Sequence, residues 1–184
     1  MNLKKLYQIV NYMLAKYNYR LNYTKLIKLI YIADRICLQR YNFAISGDKY
    51  CSMKQGLVLS NLYEFINKQN NIEFNSLFIK NNYDLISIPE NKYPYDELCE
   101  AEINILDEVD EKYHDYDWKR LVDDVVHKFP EWDKRAERDN TSIDLHKYVL
   151  LEKLGKSKEE IKSILETEET FNQLEEQFKK KGLL

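Results

Sequence analysis

Leu3, Leu6, Tyr7, Val10, Met13, Leu14 and Tyr17 recur at three- and four-residue steps, so residues 3–18 are expected to form an amphipathic helix with one apolar stripe. The next pattern differs. Leu26, Ile27, Leu29, Ile30, Tyr31, Ile32 and Ala33 surround most of the circumference of a helix over residues 23–39, and a helix apolar nearly all round is a central one. Ser46-Gly47-Asp48 reads as a turn, residues 49–53 alternate enough for a short strand, and Gly56 is expected to open a helix to about residue 67. Residues 72–80 and 83–88 are β-prone runs on either side of Asn81-Asn82, a pair able to accept positive φ, which predicts a hairpin.

Beyond a loop over residues 89–94, capping chemistry marks the helices. Asp96 should open a helix to about residue 112, and Asp117 another through residue 128 that Pro130 ends. Residues 143–154 read as helical and stop at Gly155, suited to the left-handed helix cap, and Ser157 with Glu160 forms a capping box opening a short helix to residue 166. Residues 168–181 place acids first and Lys179-Lys180-Lys181 last, which suits a helix dipole, whether as a solvated terminal helix or as a partner-contacting extension. The expected fold class is mainly α with a small antiparallel β element (α+β). A compact helical domain with one β-hairpin would cover residues 1–166, and a helical extension residues 167–184.

Composition narrows the class. At 184 residues the chain can hide roughly 70% of its unfolded surface as one domain. With 4 Gly and 3 Pro and no biased stretch, a flexible linker has nowhere to sit. Cys37, Cys51 and Cys99 lie 14 and 48 residues apart and read as free thiols in a reducing compartment. The longest wholly apolar run is residues 29–33 and the N-terminus carries no secretory apolar segment, so a soluble, cytoplasmic protein without a membrane partner is expected. The abundance of Tyr, Asn, Lys and Ile suits an AT-rich coding genome. Seven of the 15 tyrosines precede residue 42, compatible with core packing or with an interface stripe.

Charge is uneven: residues 1–92 hold 13 Lys/Arg and 6 Asp/Glu, net +7, and residues 93–184 hold 15 and 25, net −10, which together give −3. The basic half has no basic run flanked by base-stacking aromatics, which argues against nucleic acid as a partner. The acidic half is either ordinary solvated helix faces or a surface steered toward a cationic partner.

Residues 22–66 carry the most specific pattern. An apolar helix ends in Tyr31-Ile32-Ala33-Asp34-Arg35, an Ile45-Ser46-Gly47-Asp48 turn comes next, and then Gly56-Leu57-Val58-Leu59-Ser60-Asn61-Leu62-Tyr63. This order and spacing resemble the signature of the Panacea-domain antitoxins, also called SocA-like or phage-associated. The likeness continues through a helix near Glu97 to Glu102, a Trp118 helix ending in Phe129-Pro130-Glu131-Trp132, and a helix pair around Gly155, so it covers most of residues 5–166. Two positions depart from the family: Leu57 stands where Pro is usual and Gln55 where His or a similar residue is, which alters a turn's rigidity.

Candidate chemistry centres on the same stretch. Asp34 shares a helix face with Ile27, Ile30 and Leu38, so its carboxylate must be paired or hydrogen-bonded. Adjacent Arg35 cannot serve within the helix; a backbone turn or Tyr63 could. A polar network of Asp34, Arg35, Asp48 and Tyr63 is expected, either holding the fold or presenting the partner site. Lys25, Lys28, Arg35 and Gln39 form a stripe that is either a solvated face or a cationic one for phosphate or an acidic patch. His114, His127 and His146 have no zinc-like spacing, and Asp123, Asp124 and His127 on one helix are weak grounds for a hydrolase. No nucleophile elbow or phosphate-binding Gly loop occurs, so no catalysis, cofactor or metal is expected.

The resemblance implies an antitoxin, in phage defence or a similar toxin–antitoxin system, that binds the toxin of the adjacent gene. Family toxins include RelA/SpoT-like small synthetases acting on tRNA or nucleotides. Occlusion of the toxin active site is the expected mechanism, with delivery to a protease as another route. The partner-binding residues would be Lys28, Tyr31, Asp34, Arg35, Asp48, Tyr50 and Tyr63, with Tyr31, Tyr50 and Tyr63 as aromatic anchors. A homodimer and a toxin–antitoxin heterotetramer are both compatible. The alternative is a phage or mobile-element regulator contacting nucleic acid through the basic N-terminal half.

Overall fold

The structure, a computed structural model, describes residues 1–88 and 94–181. Its elements run α1 (Leu3–Ala15), β1 (Arg20–Asn22), α2 (Tyr23–Tyr41), β2 (Tyr50–Met53), β3 (Gly56–Leu59), α3 (Ser60–Lys68), α4 (Ile72–Leu77), β4 (Phe78–Asn81) and β5 (Asp84–Ser87). Then come α5 (Glu100–Tyr113), α6 (Trp118–Asp124), a 3-10 turn (Val126–Lys128), α7 (Arg135–Arg138), β6 (Ile143–Leu145), α8 (Lys147–Lys153) and α9 (Lys158–Lys180). The fold is mainly α with small antiparallel sheets, as expected. Residues 1–145 form one compact unit, and His146 onward a second in which α8 packs on α9 with Leu150, Leu151, Ile161 and Ile164 buried.

Helix α2 is the axis of the first unit. Leu26 to Ala33 are all buried, and α1, α3, α5, α6 and β3 pack around it. Its ends are set by two asparagines. Asn22 accepts the Lys25 backbone N–H at 3.2 Å, and Asn42 closes the helix in the left-handed region at φ 67°.

The expected hairpin and the expected short strand over residues 49–53, here β2, each belong to a three-stranded antiparallel sheet, in orders β1-β5-β4 and β3-β2-β6. The β4–β5 hairpin does turn at Asn82, at φ 54°. The run over residues 72–80 divides, however. Asn71 accepts the Phe74 N–H at 2.9 Å and so starts a helical turn, α4, leaving only Phe78–Asn81 as strand.

Gly56 opens strand β3, with the helix starting only at Ser60. Leu57, Val58 and Leu59 are buried on both faces, so the run lacks the alternation that marks a half-exposed strand. Residues 143–145 are likewise strand, completing the sheet on β2. Asp96 caps no helix; it bonds Lys4 and Gln8, while Cys99 and Glu102 form the capping box of α5.

The Asp117 cap, the Gly155 stop at φ 82° and the Ser157–Glu160 box are all present. Helix α9 continues from that box through residue 166 to Lys180, exposing Phe171, Leu174 and Phe178 on one face. Residues 89–93 of the expected loop lie outside the described residues. Among the described residues no helix is long and apolar enough to cross a membrane.

Candidate functional site

The signature residues fold into two adjoining polar nodes on α2. In the first, Asp34, fully buried, accepts the Ser46 backbone N–H at 2.8 Å, the Ser46 hydroxyl, and the Tyr50 hydroxyl at 3.0 Å. Ser46 Oγ in turn accepts the Asp48 N–H at 3.1 Å. The Asp48 carboxylate then caps α3 from outside the helix. It takes the backbone N–H groups of Asn61 at 3.1 Å and Leu62 at 3.0 Å, and the Asn61 side-chain amide at 2.7 Å. Four segments are thereby fixed together: α2, the turn, β2 and the start of α3.

The second node lies around Glu131. Its Oε1 accepts the Tyr31 hydroxyl at 3.0 Å and Arg35 Nε at 2.7 Å, while the Arg35 guanidinium lies over the Phe129 ring at 4.3 Å. Tyr31 and Tyr50 meet edge to face at 5.4 Å and join the two nodes. The network therefore includes Asp34, Ser46, Asp48 and Asn61, with Arg35 in the companion node and Tyr63 outside both. Sequence reasoning missed Glu131 as the counter-ion of Arg35. Its one available signal was the Phe129-Pro130-Glu131-Trp132 run.

Burial sets the electrostatics. It raises the Asp34 carboxyl to about 6 against the lowering effect of its hydrogen bonds, and it pushes the Tyr31 and Tyr50 hydroxyls well above their ordinary value. Lys28 shows the converse. Its side chain is 1% exposed, Nζ donates to the Leu57 carbonyl at 2.7 Å, and burial lowers its pKa to about 7.

Of the stripe read as either a solvated or a cationic face, Gln39 is exposed while Lys25, Lys28 and Arg35 are engaged inward. Lys25 donates to the His114 carbonyl at 2.5 Å over the Tyr17 ring, Lys28 to Leu57, and Arg35 to Glu131. His127 stacks on Trp132 at 3.8 Å, and Asp124 lies beside Arg120 and Lys128. Among the described residues no group of His, Cys, Asp or Glu could hold a metal.

Surface chemistry gathers at the β2–β3 turn, Lys54-Gln55. A cavity of about 210 Å³ there is bordered by Tyr23, Thr24, Lys28, Met53 and Tyr63. A second shares Tyr23, Thr24 and Gln55 and adds Tyr83 and Trp118; a third shares Met53 and Tyr63. Of the residues expected to meet a partner, Lys28 and half-buried Tyr63 border this furrow, while Tyr31, Asp34, Asp48 and Tyr50 are buried in the network that holds its walls.

Fold and site together define a helical domain whose central charges are engaged in positioning one turn and one helix. The family described as antitoxin SocA-like, Panacea domain, matches residues 26–133, and the chain belongs to that family. No curated protein and no solved structure matches it.

Proposed function

We infer that this chain is an antitoxin that neutralises the toxin of the adjacent gene by binding it directly and covering its active site. The family match over residues 26–133 carries the reading. The furrow at the β2–β3 turn supports it, because Tyr23, Tyr63, Tyr83 and Trp118 border adjoining cavities and aromatic side chains beside a pocket are the usual anchors of a protein interface. Tyr63 is the aromatic anchor among the residues named from the sequence, and Lys28 borders the same cavity. Tyr31, Asp34, Arg35, Asp48 and Tyr50 contribute by keeping that surface in shape.

The toxin class that fits is a RelA/SpoT-like small synthetase. Such an enzyme needs a positive groove for tRNA or nucleotide, and the net −10 of residues 93–184 would steer the antitoxin to it. Co-expression tests the reading. The chain should restore growth to cells making the toxin and co-purify with it, and Tyr63→Ala with Trp118→Ala should weaken the complex by about tenfold or more while the protein stays soluble. No complex, or full rescue by the soluble double variant, would overturn it.

A further inference from the structure

Lys28 is not explained by the fold. An ammonium taken from water costs several kcal/mol unless it is paired or gives up its proton, and with its pKa lowered to about 7 Lys28 does so only in part near neutral pH; among the described residues the one group it bonds is the Leu57 carbonyl, which uses one of its three N–H donors. A neutral hydrogen-bonding side chain would serve that carbonyl as well. Among the described residues Lys28 makes no ion pair, whereas eleven other lysines and arginines of the first unit do.

The cavity it borders has the same imbalance. Its lining includes two lysines, Lys28 and Lys54, and no acidic residue among the described ones. Ile27, Val58 and Met53 give the cavity an apolar lining, and Thr24, Gln55 and Tyr63 give it a polar one. At about 210 Å³ the space is smaller than the ~300–1,000 Å³ of sites for cofactors and drug-sized molecules. It is sized for an inserted side chain. Two neighbouring cavities share lining residues with it, which leaves room beside it for the chain bearing that side chain.

We propose that this cavity is a socket for one aspartate or glutamate side chain of the protein partner, with Lys28 donating to the carboxylate. The inference rests on the antitoxin reading and specifies where the toxin is gripped. Burial, which makes an unpaired lysine costly, also makes the pairing strong once the carboxylate arrives, because water no longer screens it. The socket would also discriminate: a glutamine of the same shape would leave the ammonium without its counter-charge.

Two measurements test this together. In the first, the Met53 methyl resonance is followed while N-acetylglutamate N-methylamide, or its glutamine counterpart at equal ionic strength, is added to the full chain. A saturable shift with the acid is expected, weaker by about tenfold or more with the amide and lost in Lys28→Met. In the second, Lys28→Met and Lys28→Gln are compared with the unmodified chain for affinity to the adjacent gene's product, and a loss of about tenfold or more is expected for both. If the acid shifts Met53 but both variants hold the toxin as tightly as before, the cavity takes free small carboxylates and the docking proposal falls while the antitoxin reading stands. Equal response to acid and amide overturns the socket itself. Failure of the unmodified chain to form any complex overturns the antitoxin reading instead.

Discussion

Lys28 and Asp34, less than two turns apart on α2, carry opposite pH dependences. Lys28 has a folded pKa of about 7 against an ordinary 10.5, so between those values the unfolded chain holds the extra proton and stability rises with pH. Denaturation by urea should therefore show the unmodified chain gaining roughly 2 to 3 kcal/mol from this residue between pH 7 and 9. Lys28→Met should be more stable than the unmodified chain at pH 7 by about 1 to 4 kcal/mol and should lose that advantage as pH rises. An unchanged difference across that range would refute the buried-ammonium account. Asp34 has a folded pKa of about 6 against 3.8, so its contribution runs the other way, with stability rising as pH falls from about 6 toward 4. Truncation is a separate matter. Asp34→Ala strands the Ser46 and Tyr50 donors in the core and should cost about 3 to 5 kcal/mol in the same assay. The need of Asp34 for donors was readable in advance; the burial of Lys28 was not. A carboxylate among Ile27, Ile30 and Leu38 had to find donors, and the Ser46-Gly47-Asp48 turn was the nearest supply. The asparagines carried structural information too. Asn2, Asn22 and Asn71 cap helices, and Asn18, Asn42, Asn82 and Asn140 take positive φ, so in a chain with 4 Gly they fill positions glycine often takes.

Among the elements, strand β3 is where local pattern and tertiary context part company. Gly56 sits at φ +90° with its α-carbon so close to the 3-10 turn that a β-carbon would lie 2.7 Å from Val126 Cγ1. Gly56→Ala should thus cost about 2 to 4 kcal/mol, from backbone strain and overpacking together. The pair Gly56→Ala with Val126→Ala should cost less than the sum of the single changes, measured as a double-mutant cycle; strict additivity would show that the contact is not the cause. Helix α3 depends on a residue far from it in sequence. Asp48→Ala removes the acceptor for two first-turn N–H groups and should cost roughly 2 to 3 kcal/mol, with loss of helical signal confined to residues 60–68. Caps within one element were legible because donor and acceptor are three residues apart. The Asp48 cap spans 13 and 14 residues, and no periodicity reports it.

For the whole molecule, part of the charge asymmetry between the halves is answered inside the chain. Lys4 pairs with Asp96 and Glu97, Lys5 with Glu102, Lys16 with Asp107 and Arg40 with Glu108, so α1 and α2 are held to the acidic region around α5. Exposed pairs of this kind contribute little singly, but they leave the basic half with fewer free cations for nucleic acid. The antitoxin reading proposed above rests instead on the surface bordered by Tyr23, Tyr63, Tyr83 and Trp118. The decisive measurement is inhibition in a purified two-component system, with the chain titrated into the adjacent toxin's activity assay and no protease present. Direct occlusion predicts loss of toxin activity at stoichiometric antitoxin, with both proteins recovered intact in one complex. Toxin activity undiminished at saturating antitoxin would contradict it.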